Sequence, residues 1–81
     1  MKTIDARLYE PKDKHNKIFE LFFSLNVGES MMLINDHDPK PLYYQFAIEY
    51  PETFDWVYQT KGPEIYEIMI TKTNTVSSKV S

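Results

Sequence analysis

The sequence contains no cysteine. That excludes a disulfide framework, a thiolate nucleophile and any thiolate-bound metal. Glycine occurs only twice, at Gly28 and Gly62, so no Gly-rich phosphate-binding loop can be assembled. Long apolar runs are also missing. The longest, Met31–Ile34, is far too short to span a bilayer. The N-terminus opens on a mixed polar stretch, Met1-Lys2-Thr3, without an apolar leader, and the expected location is cytoplasmic. Basic residues are outnumbered, nine against 12 acidic, for a net charge of −3. The lysines are scattered along the chain. Such a balance offers no general attraction to phosphate backbones, and nucleic acid is not an expected partner; neither is a membrane.

What the chain does have is aromatic side chains: six Tyr, five Phe and one Trp in 81 residues. Large rings let a domain of this size bury enough area to fold. The length suits one domain, expected over residues 1–72, followed by a flexible Ser/Thr-rich tail over 73–81.

Hydrophobic spacing divides the domain into six elements. Thr3–Arg7 reads as a short strand with Ile4 and Ala6 on one side. Leu8–Lys14 is a polar connector. Lys14–Leu25 is a helix, because Ile18, Leu21, Phe22 and Leu25 fall at i, i+3, i+4 and i+7, with Asp13 as its N-cap and Gly28 in its stop signal. Ser30–Asn35 carries four apolar residues in a row and reads as an interior strand or one covered on both faces. Pro41–Tyr50 is a second helix, with Leu42, Tyr43, Phe46, Ala47 and Tyr50 on its apolar stripe, Asp38 as its N-cap and Pro51 at its end. Thr53–Thr60 alternates Phe54, Trp56 and Tyr58 against Asp55, Val57 and Gln59. Ile65–Thr71 alternates in the same way, and Lys61-Gly62-Pro63 joins the two as an antiparallel hairpin. Right-handed crossovers put both helices on one face of a four-stranded mixed sheet. The expected fold is therefore an α/β two-layer sandwich of β-α-β-α-β-β order.

The segment Asn35-Asp36-His37-Asp38-Pro39-Lys40-Pro41-Leu42, together with Asp5-Ala6-Arg7, His15, Gly28-Glu29, Trp56-x-Tyr58 and Gly62-Pro63, resembles the bacterial family called domain of unknown function 2249. The resemblance runs from about Thr3 to Lys72. It implies the same β-α-β-α-β-β sandwich, related to the TusA/SirA-type sulfur carriers, and a setting beside hemerythrin-like or redox partner proteins. It implies no activity. Sulfur carriers of that type use a cysteine near their first helix, and this chain has none, so persulfide relay is chemically closed to it.

The candidate site is Asn35–Leu42, where a strand gives way to a helix N-terminus. Free N–H groups and the positive end of the helix dipole favour anions there. Asn35, Asp36, His37, Asp38 and Lys40 are its ligand candidates, with Arg7 from the end of the first strand. Carboxylates flanking an imidazole can also hold a metal, and His15 with His37 would suit iron or zinc; a single histidine would suit haem. Each residue has a structural alternative. Asp38 can cap the helix, Arg7 can pair with a carboxylate, and His15 can pack at a helix end. Trp56 and Tyr58 are either core packing or an aromatic floor for a flat ligand.

Three functions follow: a regulatory module binding a metal, haem or small anion at Asn35–Leu42, a protein-interaction module using its strand edges, or a small enzyme with His37 as general base.

Overall fold

The computed structural model describes residues 1–76 of the chain. Its elements are β1 (Lys2–Asp5), a 3-10 turn (Ala6–Leu8), α1 (Pro11–Phe23), β2 (Ser30–Asn35), α2 (Lys40–Glu49), β3 (Phe54–Lys61) and β4 (Tyr66–Lys72). The strands form one sheet in the order β1-β2-β4-β3. β1 runs parallel to β2, while β4 is antiparallel to both β2 and β3. This is the expected α/β sandwich with a four-stranded mixed sheet.

Both helices pack on one sheet face. α1 contributes Ile18, Phe19 and Phe22, and α2 contributes Leu42 and Phe46. They meet Ile4, Met31, Leu33, Ile68 and Ile70 from the sheet in one core cluster. Rings knit this core. Phe46 stands edge-on to Phe22 at 5.0 Å, lies 4.5 Å from Phe19 and reaches Phe54 at 5.0 Å. Burying each such side chain stabilises the fold by about 1.5–3 kcal/mol.

Several boundaries differ from expectation, each for a local reason. β1 stops at Asp5, because the Asp5 carboxylate accepts the Arg7 N–H and starts a 3-10 turn instead. α1 begins at Pro11, not Lys14. Proline suits a first helical position, where an N–H would lack a partner anyway, and Glu10 precedes it in extended conformation without a side-chain cap. Asp13 therefore sits inside the first turn rather than at the cap. α1 closes at Ser24, whose N–H reaches the Glu20 and Leu21 carbonyls. Gly28, at φ 95°, serves the later turn into β2, where its N–H donates to the Lys72 carbonyl at 2.7 Å. α2 begins at Lys40, one residue before the expected Pro41.

β2 alternates buried and half-buried residues, as an interior strand covered by helices on one face only. The opposite face carries Met32, Ile34, Met69 and Val57. Just past β4, Thr73 donates its N–H to the Thr53 carbonyl and Val76 packs against the core. The expected flexible tail, 73–81, lies outside the described residues from 77 onward. Among the described residues, no helix is long and apolar enough to cross a membrane.

Candidate functional site

Asn35–Leu42 does not act as one cluster. Asn35 ends β2 with its side chain on the helix-covered face, 4% exposed, and its Oδ1 has no hydrogen-bond partner among the described residues. Leu42 and Pro39 are buried as well. Asp36 and His37 point the other way. His37 Nδ1–H donates to Asp36 Oδ1 at 2.7 Å, with side chains 64% and 59% exposed. That bond, with the nearby imidazole and Lys14 charge, holds the Asp36 carboxyl below the usual carboxylate range.

Arg7 is engaged by its neighbour. Its Nε and a terminal nitrogen donate to the two Asp5 oxygens at 2.8 and 2.7 Å, a bidentate pair. The same hydrogen bonds lower the Asp5 carboxyl. His15 Nδ1–H donates to Gln45 Oε1 at 3.0 Å and so links α1 to α2. Among the described residues, no group of three or more His, Asp or Glu side chains is placed to hold a metal ion.

Asp38 departs from expectation most clearly. Pro39, not Asp38, holds the cap position of α2, and no side chain caps the helix. The Asp38 carboxylate instead accepts the Tyr58 phenol at 2.6 Å. Burial, and then this bond, push the Tyr58 ionisation up. Helix capping is a local habit, and here a partner on β3 outbids it.

That contact opens onto a feature the sequence did not single out as a whole: a trough between α2 and edge strand β3. It consists of two open depressions. One, of about 320 Å³, is lined by Lys40, Tyr43, Tyr44, Trp56 and Tyr58. The other, of about 400 Å³, is lined by Tyr43, Ala47, Pro51, Glu52, Phe54, Asp55 and Trp56. Tyr43 and Trp56 line both, with ring centroids 5.3 Å apart and nearly perpendicular. Lys61 Nζ lies 4.8 Å from the Tyr58 ring centroid, a second cation toward the first depression. The Trp56 indole nitrogen is buried without a hydrogen-bond partner among the described residues. Glu52, in the second depression, is held at φ 64°, a left-handed conformation unusual outside glycine and asparagine.

Two signals in the sequence pointed here. Trp56-x-Tyr58 put rings on one strand face, and Tyr44 and Ile48 are apolar residues off the buried stripe of α2. Glu52 carries no such signal, and the strand alternation sets Asp55 opposite Phe54, Trp56 and Tyr58.

Comparisons with curated proteins and with solved structures give no match. The family model described as "Uncharacterized conserved protein (DUF2249)" matches residues 3–72, nearly the whole described domain. The chain thus belongs to the uncharacterized conserved family DUF2249.

Proposed function

We propose that this domain is a protein-interaction module that receives its partner on the outer face of α2 and in the α2–β3 trough. One observation carries this reading: Tyr44 and Ile48 stand 58% and 79% exposed beside the trough, on a helix that buries only Leu42 and Phe46. Tyrosine and large apolar side chains are enriched where proteins meet, and contiguous exposed apolar surface marks such sites. The depressions are open and shallow, whereas small-molecule sites usually enclose most of their ligand.

A small organic anion held by Lys40 over the Tyr43, Tyr44 and Trp56 rings is the second reading, favoured by the cation at the mouth of an aromatic depression. Metal or haem binding through His15 and His37 has less support: among the described residues no group of three His, Asp or Glu side chains is placed to hold a metal, and the two imidazoles are held by different partners, Gln45 and Asp36. A general-base role for His37 rests on the Asp36 contact alone, at an open surface.

Selection of random peptides displayed on phage tests the interaction reading. Binders of the natural chain are expected, and Tyr44→Glu with Ile48→Glu should abolish their binding while the circular dichroism and unfolding midpoint stay unchanged. Binders indifferent to these exposed substitutions, or no binders at all, would overturn it.

A further inference from the structure

The two depressions are not placed at random along β3. The first is floored by Trp56 and Tyr58, the second by Phe54 and Trp56. They are offset by two residues on one strand face, roughly 7 Å at strand rise. That is the spacing of successive same-side residues in another strand lying alongside. Among the described residues β3 is an edge strand, paired only with β4, and its regular ladder runs from Phe54 to Tyr58 before an irregularity at Gln59. Its outer edge therefore presents backbone N–H and C=O groups beside the trough.

The charges at the two ends differ in sign. Lys40 lines the first depression and Lys61 lies over the Tyr58 ring at that end. Glu52 and Asp55 line the second. A side chain entering the first meets the Lys40 ammonium above an aromatic floor. A side chain entering the second lays its stem on Ala47, Pro51 and Phe54 and ends against the Glu52 carboxylate, which suits lysine or arginine.

Resting on the proposed interaction function, we infer that the occupant is an extended peptide segment of a partner protein. It adds to β3 as a fifth strand, with an acidic side chain in the first depression and a basic one, two residues along, in the second. Main-chain bonds to the β3 edge supply affinity, and the alternating side chains supply selectivity.

Four short blocked peptides test this, built of alternating Val and Thr with Glu-x-Lys, Glu-x-Glu, Lys-x-Lys or Ala-x-Ala at the centre. Trp56, the single tryptophan, reports binding by its fluorescence. The Glu-x-Lys peptide should bind about three- to tenfold tighter than either like-charged peptide, a gap that narrows with added salt. Lys40→Glu should shift the preference to Lys-x-Lys. Glu52→Lys should shift it to Glu-x-Glu. Equal binding of all four, or preferences that ignore both reversals, would overturn the acid–base pairing. If displayed peptides still bind through Tyr44 and Ile48 in that case, the interaction function stands and only the peptide chemistry fails. If no peptide reaches the trough, both fall.

Discussion

Tyr58 donates its phenol hydrogen to the Asp38 carboxylate at 2.6 Å, joining edge strand β3 to the residue that leads into α2. The bond spans 20 positions in the chain and closes one end of the trough. It also explains why α2 starts without a side-chain cap: the nearest carboxylate is occupied.

Removing that bond has two expected consequences. Tyr58→Phe should lower stability by about 1.5–3 kcal/mol, the range for a hydrogen bond to a charged acceptor. It should also change the alkaline limb. The Tyr58 ionisation is raised in the folded protein, above its usual value of 10.0, by burial and then by the Asp38 bond. A raised group stabilises the fold fully below the unfolded value and loses that contribution as pH climbs past it. Urea midpoints measured upward from about pH 9 should therefore fall more steeply in the natural protein than in Tyr58→Phe.

Lys72 carries a structural role that its position in a polar C-terminal stretch conceals. It is 8% exposed, and its Nζ donates to the Phe23 and Leu25 carbonyls at 3.2 and 2.8 Å. A cation is thus fixed at the C-terminal end of α1, where the helix dipole is negative. Lys72→Met keeps the stem but leaves both carbonyls without this donor. It should cost about 1–3 kcal/mol in thermal or urea unfolding. A change within about 0.5 kcal/mol, ordinary for a surface site, would contradict this account.

The two glycines separate backbone strain from crowding. Both have positive φ, 95° at Gly28 and 64° at Gly62. A methyl added at Gly28 meets open space, whereas one at Gly62 lands 2.7 Å from Tyr66 Oη. Gly28→Ala should cost about 1–2 kcal/mol from handedness alone. Gly62→Ala should cost more, because Tyr66 must also shift. Equal losses would mean that Tyr66 yields freely.

Acid should unfold the protein partly through Asp5 and Asp36. Both carboxyls are lowered in the folded state, Asp5 by Arg7 and Asp36 by His37. Their contribution is present above the unfolded value of about 3.9 and is lost as pH falls through the lower folded values. Asp5→Asn should flatten the decline of stability below about pH 4, measured by urea midpoints at successive pH values.

The parts of the fold that depend on near neighbours were legible in sequence. The alternation from Phe54 to Tyr58 and from Tyr66 to Ile70 marked the hairpin, and the Ile18-Leu21-Phe22-Leu25 spacing marked α1 to within a turn. Errors arose where a distant partner overrode a local habit. Asp38 looks like a cap until Tyr58 takes it, and nothing near Lys72 in the chain marks it as buried until α1 ends above it. The candidate site was half legible for the same reason. Asn35–Leu42 stands out as a string, but its side chains diverge, Asn35 inward, Asp36 and His37 outward. The trough joins residues of α2 to residues of β3 that only the packing brings together.

The most direct measurement is an amide NMR map of the labelled protein titrated with the Glu-x-Lys peptide. Docking along β3 predicts shifts concentrated at Phe54–Tyr58 and Lys40–Ala47, with Asp36 and His37 little changed. Shifts centred on Asp36 and His37, or spread evenly over the surface, would contradict the assignment of the α2–β3 trough as the binding site.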